Sequence, residues 1–181
     1  MADWRSTLNT PIGTLELIWN DDGVRMLAVR ERADQHRRAR QLDGANPTGA
    51  SPWDDALQAW FEQADDAIDQ IPIAPTGTPF QRRVWSALRS LRVGQTISYG
   101  ALAAEVDRPG AARAVGNAVG ANPLLVLIPC HRVLAAGGQL GGFSAGLERK
   151  RWLLRHERAR FRDSAPSQPQ AVYSSPPPEL L

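Results

Sequence analysis

A cluster of helix-breaking residues near the middle divides this 181-residue chain into two unlike parts. Pro72, Pro75, Gly77 and Pro79 lie close together, and neither a helix interior nor a central strand tolerates such a run. Both an alternating stretch and one stretch at helical spacing precede the cluster, whereas mostly helical spacing follows it. We therefore predict an α/β chain with an N-terminal α/β domain at 1–75, a second domain at 76–160, and a disordered Pro- and Ser-rich tail at 161–181.

The first part predicts a β-hairpin followed by one helix. The segment TLELIW (14–19) alternates, Asp21-Asp22-Gly23 has the chemistry of a tight turn, and VRMLAV (24–29) follows. Residues 31–50 are polar and predict a loop. We expect a helix from Trp53 to Ile68, because apolar side chains recur there at helical spacing.

The second part predicts helices joined by short turns. Thr78 and Ser98 are residue types that cap helices, and each precedes an apolar stripe. Two helices joined by a tight turn that contains Gly110 are typical of a helix-turn-helix motif. The apolar residues 124–128 predict a short strand. The predicted helices span about residues 79–93, 99–106, 111–121 and 147–157.

Composition limits the class of protein. No apolar run approaches the roughly 20 residues of a membrane span, and the first residues lack the pattern of a secretory signal, so we expect no membrane association. A single cysteine excludes an internal disulfide framework and any multi-cysteine metal site, which favours a reducing cytoplasm and no bound metal.

The formal net charge of +2 is unevenly distributed. Residues 1–75 carry a balance of −6, and residues 76–181 carry +8. A basic half favours a directional partner such as a phosphate backbone, but a solvated surface in an Arg-rich protein explains the charge about equally well.

The single cysteine is the candidate nucleophile. A lone cysteine after an apolar stretch is more often a small buried hydrophobe. However, Pro129 precedes Cys130, and His131 and Arg132 follow it, so a base and a cation are expected beside the sulfur. Because the thiolate is the reactive form and nearby positive charge favours it, the sequence predicts an activated thiol on a cleft wall.

The stretch IPCHRV (128–133) resembles the active-site signature of the methylated-DNA–protein-cysteine methyltransferase family. The similarity runs from Thr78 to Glu157 and includes, in the family order, TPFQRRVW, ISYGALA, AARAVGNAVGANP, IPCHRV, GGFSAGLERK and WLLRHE. The N-terminal half is only loosely similar. The resemblance implies a small ribonuclease-H-like N-terminal domain packed on a mainly helical DNA-binding domain.

The resemblance also implies roles for individual residues. Cys130 is the alkyl acceptor, and His131 acts as its base through a water molecule. Glu157 orients His131, as in a catalytic triad with a thiol nucleophile. Asn122 braces the turn around the cysteine by hydrogen bonds. Tyr99 offers its phenol to the N3 edge of the departing guanine.

Further implied contacts hold the flipped base. The backbone N–H of Ser144 donates to O6, and the carbonyls of Cys130 and Val133 accept from the exocyclic amine. Ala145 stands where many relatives have glycine, so its methyl group either narrows the tolerance for bulky adducts or only restricts the loop.

The target atom lies inside a stacked duplex, so the base must be extruded. The resemblance implies that Arg113 fills the space left in the stack. Ala111, Ala112 and Gly116 leave this helix with little bulk, which permits close contact with the minor groove; packing within the protein is the other explanation for Gly116.

The resemblance thus implies a single-turnover DNA-repair enzyme without an external cofactor. It would move an alkyl group from O6-alkylguanine, with O4-alkylthymine as a further candidate, in double-stranded DNA to Cys130 and be inactivated. We expect a monomer, and cooperative binding along DNA stays open. One alternative is a non-catalytic sensor of alkylated bases, but known sensors replace the cysteine. Another is a cysteine hydrolase using Cys130, His131 and Glu157, for which the sequence offers no dedicated oxyanion hole.

Overall fold

The computed structural model describes residues 2–31 and 44–163. One sheet has the strand order β3-β2-β1-β4, with β1 to β3 antiparallel and β4 parallel to β1. A two-stranded parallel sheet is formed by β5 and β6. The strands are β1 (Trp4–Thr10), β2 (Gly13–Asn20), β3 (Gly23–Val29), β4 (Asn46–Pro47), β5 (Ile97–Ser98) and β6 (Val133–Leu134). The α-helices of the described residues are α1 (Asp54–Glu62), α2 (Pro79–Arg89), α3 (Tyr99–Glu105), α4 (Ala112–Gly120) and α5 (Leu147–His156).

The predicted hairpin is confirmed, and it has an unpredicted neighbour. Strands β2 and β3 pair around the turn at Asp21 and Asp22. Strand β1 pairs with β2 along its whole length. Its two fully inward positions are Ser6 and Thr10, which are polar, so the apolar alternation that identifies a strand is weak there. Most of the predicted loop at 31–50 and nearly all of the predicted disordered tail lie outside the described residues.

The helix predicted from Trp53 to Ile68 is shorter than expected. Helix α1 ends at Glu62, and a separate 3-10 helix covers Asp66–Gln70. Gln63 is extended, and the Asp65 side chain accepts a hydrogen bond from the N–H of Ala67 at 3.0 Å. The aspartate therefore caps a new helix instead of continuing the old one.

The predicted starts of α2 and α3 are confirmed by side-chain caps. Thr78 Oγ1 accepts from the N–H of Gln81 at 3.2 Å, and the Gln81 side chain accepts from the N–H of Thr78 at 2.8 Å, which is a capping box. Ser98 Oγ accepts from the N–H of Ala101 at 3.1 Å. Each cap satisfies backbone donors that the first turn of a helix leaves without partners.

Helices α3 and α4 follow one another through a tight connection. Asp107 and Gly110 both have positive φ values, 56° and 84°, within this connection. Helix α4 packs against α2 and α3, and Trp85 of α2 donates its indole N–H to the carbonyl of Ala118 at 2.9 Å. The indole thereby fixes the end of α4 relative to α2.

The prediction of a strand at residues 124–128 is wrong. Only one bridge forms, in which the N–H of Leu27 donates to Pro123 O at 2.9 Å and the N–H of Leu125 donates to Leu27 O at 2.8 Å. Val126 then adopts a left-handed φ of 70°, which coils the chain out of the extended conformation. The apolar run is buried because it turns through the core.

A single apolar cluster includes residues from both sides of the proline-rich break. Leu17, Leu27 and Trp60 from the first part and Trp85 and Leu153 from the second belong to it. The mixed α/β fold class is confirmed, whereas the boundary at residue 76 and the ribonuclease-H-like topology stay predictions. None of the helices within residues 2–31 and 44–163 has the length and apolar character needed to span a bilayer.

Candidate active site

The short β5–β6 pair brings two distant segments together. Ile97 pairs with Val133 and Ser98 with Leu134. Tyr99 follows β5 as the first residue of α3, and the 3-10 turn Cys130–Arg132 directly precedes β6. The pairing therefore holds the tyrosine and the cysteine turn on the same side of the molecule.

Asn122 braces the turn that carries the cysteine. Its Nδ2 donates to the carbonyl of Ile128 at 2.8 Å and to Sγ of Cys130 at 3.1 Å, and its Oδ1 accepts from the N–H of Leu124 at 2.9 Å. The side chain is buried, and the backbone groups that it binds would otherwise lack the hydrogen-bond partners that a strand ladder supplies. An amide donor on sulfur also stabilises the thiolate.

His131 and Glu157 form a buried pair beside the cysteine. His131 Nε2 lies 2.9 Å from Glu157 Oε1, and neither side chain is exposed. Burial lowers the pKa of His131 from 6.5, against the opposing effect of Glu157, so the ring is neutral at pH 7. An ionised carboxylate only accepts hydrogen bonds, so Nε2 carries the proton and Nδ1 keeps its lone pair. Among the described residues, Nδ1 has no hydrogen-bond partner.

Arg132 binds the carboxylate of Glu157. Its Nε and Nη2 donate to Glu157 at 2.9 and 2.8 Å, and its Nη1 donates to Leu91 O. Burial would raise the pKa of Glu157, but His131 and Arg132 outweigh it and lower this pKa to about 2. Glu157 itself is only 4% exposed, so its charge is compensated by these two partners.

A pocket of about 280 Å³ opens beside the sulfur. Such a volume is of the order expected for a small-molecule site. Residues from four separate segments form its walls, so it exists only in the folded chain. The lining residues are Tyr99, Gly116, Val119, Gly120, Cys130, Gly142, Phe143 and Ser144.

The Tyr99 ring lies between two glycines. A methyl group added at Gly116 would be 3.7 Å from this ring, and one added at Gly141 would be 3.6 Å from it. Both distances are ordinary van der Waals contacts, so the ring packs closely against the two glycine positions, and the explanation for Gly116 itself stays a prediction. Burial raises the pKa of Tyr99, and the charge of Cys130 raises it further, so the phenol keeps its proton and can donate it.

The predicted DNA-contact residues lie at the start of α4. Arg113 is exposed, whereas Ala111 and Ala112 are half-buried. Arg113 precedes Gly116 by three residues and Gly120 by seven, so the three share one helix face. The exposed guanidinium therefore lies on the same helix face that borders the pocket.

The remaining predicted substrate contacts are divided between the pocket and the core. Ser144 lines the pocket, but Ala145 is completely buried and is not among the lining residues. The carbonyl of Ala145 accepts from Arg149 Nη1 at 3.2 Å. Val133 is also buried, and its carbonyl accepts from Lys150 Nζ at 2.6 Å.

Sequence reasoning missed Lys150, which is completely buried on α5. The available signal was compositional: it is the only lysine among 21 basic residues. Within residues 2–31 and 44–163, no group of three or more His, Cys, Asp or Glu side chains has an arrangement that could hold a metal ion.

Known proteins resemble this chain in sequence. The family model described as the 6-O-methylguanine DNA methyltransferase DNA-binding domain matches residues 79–159. The methylated-DNA–protein-cysteine methyltransferase of Salmonella typhimurium is 44% identical over 160 residues, which cover 82% of this chain and 91% of that protein.

Solved structures resemble it in fold as well. The crystal structure of the Mycobacterium tuberculosis O6-methylguanine methyltransferase aligns with a TM-score of 0.76 and 36% identity over 92% of this chain and 96% of that one. The M. tuberculosis OGT in complex with DNA aligns with a TM-score of 0.71 and 34% identity over 87% of this chain and 93% of that one.

Proposed function

This chain belongs to the methylated-DNA–protein-cysteine methyltransferase family, and we propose that it repairs DNA by moving an alkyl group from O6 of guanine to Sγ of Cys130. The observation that carries the proposal is the position of this sulfur on the wall of a 280 Å³ pocket, next to the buried His131–Glu157 pair. The pocket supplies a place for an extruded purine, and the pair supplies a base for the thiol.

The chemistry begins with ionisation of the thiol. His131 accepts the thiol proton at Nδ1, through a water molecule, because Nε2 is committed to Glu157. The resulting imidazolium is stabilised by the glutamate, whose ionised state is secured by Arg132. The hydrogen bond from Asn122 stabilises the thiolate that remains.

Transfer is a substitution at the alkyl carbon. A lone pair on Sγ forms the S–C bond while the C–O6 bond breaks, and its electrons pass to the guanine. The Tyr99 phenol, which lines the same pocket, gives a proton to N3 of the departing base. The N–H of Ser144 donates to O6, and the carbonyls of Cys130 and Val133 accept from the exocyclic amine. The thioether product is stable, so each molecule acts once.

Access to the pocket requires base flipping in double-stranded DNA. The exposed Arg113 enters the stack in place of the flipped guanine, with α4 against the minor groove. Ala111, Ala112 and Gly116 keep this contact close. The charge of +8 over residues 76–181 supports backbone binding with little sequence preference. The protein acts as a monomer in the cytoplasm, where the thiol stays reduced.

The test follows the fate of the lesion. Parent protein and Cys130→Ser are each incubated with a duplex that contains one O6-methylguanine, and the DNA is digested and analysed for guanine and O6-methylguanine. We expect the parent to restore guanine in an amount equal to the protein added, and the variant to bind the lesion without repairing it. A parent protein that binds the duplex but leaves O6-methylguanine unchanged would instead be a sensor.

A further inference from the structure

Lys150 is a buried cation that the mechanism above does not use. Its Nζ donates to Val133 O at 2.6 Å, to Gly142 O at 3.2 Å and to Leu140 O. The ammonium has three donors and here meets three carbonyls. The ring of Phe143 lies 5.9 Å from the same nitrogen.

These carbonyls belong to two segments of the chain, Val133 in β6 and the loop that contains Leu140 and Gly142. Val133 pairs with Ile97 in β5, and this pairing fixes the position of Tyr99, which directly follows β5. Gly142 and its neighbour Phe143 line the pocket directly. We propose that Lys150 is a positioning residue of the alkyl-transfer site, which joins these two segments through its ammonium group and places a positive charge behind Cys130. This inference rests on the proposed function.

The residue type supports the inference. Every other basic residue of the chain is arginine, yet this position holds a lysine. A guanidinium is planar and spreads its donors in one plane, whereas an ammonium is compact and directs three donors to a converging set of carbonyls. Burial of a charge is costly without such partners, so the three backbone oxygens explain how the cation is accommodated.

The positive charge of Lys150 acts on both Cys130 and His131. Burial lowers the pKa of Lys150 to about 8, and the charge of Cys130 opposes this shift. Because a charge interaction is mutual, the ammonium favours the thiolate of Cys130 to the same degree. The Lys150 charge also contributes to the lowered pKa of His131, which keeps the ring neutral and able to accept the thiol proton.

The first experiment compares Lys150→Met with the control Arg155→Met, which removes a half-exposed cation paired with Asp163 on the same helix. The pH dependence of Cys130 alkylation by iodoacetamide, the rate of transfer from duplex and the affinity for DNA are measured. We expect the thiol midpoint of Lys150→Met to rise by about one pH unit, which lowers the thiolate fraction and the transfer rate about tenfold, with DNA affinity unchanged. The control should match the parent. A slower transfer with an unchanged midpoint indicates a structural role only and overturns the inference.

The second experiment uses the native protein and does not depend on folding of a variant. Isotope-labelled lysine gives one NMR signal, since the chain has a single lysine, and its titration midpoint is measured before and after Cys130 is blocked with methyl methanethiosulfonate. We expect a midpoint near pH 8 that falls on blocking, because the thiolate charge is lost. A midpoint that blocking leaves unchanged overturns the inference. Neither thiol reaction needs alkylated DNA, so failure of the proposed function would appear separately, as a parent protein without transfer.

Discussion

Nε2 of His131 and Oε1 of Glu157 are 2.9 Å apart, although the two residues are separated by 25 others in the chain. The carboxylate fixes the tautomer of the ring and leaves Nδ1 as the basic nitrogen. Arg132 donates to both oxygens of the same carboxylate, from Nε to Oε2 and from Nη2 to Oε1. The pair thus depends on a third residue that keeps Glu157 ionised.

Glu157→Gln should slow alkyl transfer by about 100-fold or more, because the ring loses the acceptor that fixes its tautomer and stabilises its charged form. It should also destabilise the fold by about 3–5 kcal/mol, since the buried Arg132 loses its counter-ion. Single-turnover kinetics and urea unfolding measure the two effects. Glu148→Gln on the same helix is the control: its side chain is 74% exposed, so neither quantity should change appreciably. Equal rates for the two variants would contradict the assigned role.

The same glutamate predicts how stability depends on pH. Its pKa is lowered from 4.5 to about 2 in the folded state, so the unfolded chain takes up this proton first as the pH falls. The contribution, about 3 kcal/mol, is complete above pH 4.5 and is lost as the pH falls to about 2. The lowered pKa of His131 adds a loss that begins below pH 6.5. The free energy of unfolding, measured in urea across this range, should depend less on pH below 4.5 for Glu157→Gln than for the parent. Parallel curves for the two proteins would refute the lowered pKa of Glu157.

Tyr99→Phe should separate leaving-group chemistry from thiol reactivity. The ring keeps its place between Gly116 and Gly141, so the fold should be retained. Loss of the phenolic proton donor should slow transfer from O6-methylguanine by about 100-fold, which is the lower end of the rate enhancement that a general acid typically provides. Alkylation of Cys130 by iodoacetamide needs no protonated purine and should proceed at the parental rate. If both reactions slow equally, the phenol does not act on the base.

Asn122→Asp keeps the acceptor for the Leu124 N–H but removes the donor to sulfur and adds a negative charge beside it. We expect the thiol pKa of Cys130 to rise and its iodoacetamide profile to move to higher pH. Asn46→Asp, an exposed amide in β4, is the matched control and should leave the profile unchanged. A profile at the parental position in Asn122→Asp would show that the amide does not stabilise the thiolate.

Arg113→Ala tests the coupling of base flipping to transfer. Repair of O6-methylguanine in duplex DNA should slow by at least about tenfold, because a flipped base costs a few kcal/mol of unstacking that the guanidinium no longer offsets. Reaction with free O6-benzylguanine, which needs no flipping, should be unaffected. Arg108→Ala removes an exposed cation from the preceding turn; it should weaken DNA binding but, at saturating duplex, leave the rate of transfer unchanged. A similar loss with the free base would contradict the role of Arg113.

Local signals were sufficient for the helix starts and for the hairpin. Thr78 and Ser98 cap the helices that they precede, because capping depends on residues within one turn. The motif around Cys130 pointed to His131 and Asn122. His131 lies in the 3-10 turn of Cys130, and Asn122 donates to the sulfur.

Long-range interactions decided the rest. Residues 124–128 look like a strand in isolation, but Asn122 supplies the hydrogen bonds of a turn and Val126 takes a left-handed conformation. The partners of Arg132 and Lys150 are set by how distant segments pack, so no local pattern could reveal them. Strand β1 was not predicted because its buried positions, Ser6 and Thr10, are polar.

If the proposed function is right, the sulfur of Cys130 becomes the permanent acceptor of the alkyl group. A duplex that carries O6-methylguanine with a deuterated methyl group is incubated with the parent protein, and the digested protein is analysed by fragmentation mass spectrometry. We expect one deuterated methyl group per protein molecule, located on Cys130, with no further transfer when fresh DNA is added. Repaired DNA beside an unlabelled Cys130 peptide would contradict it.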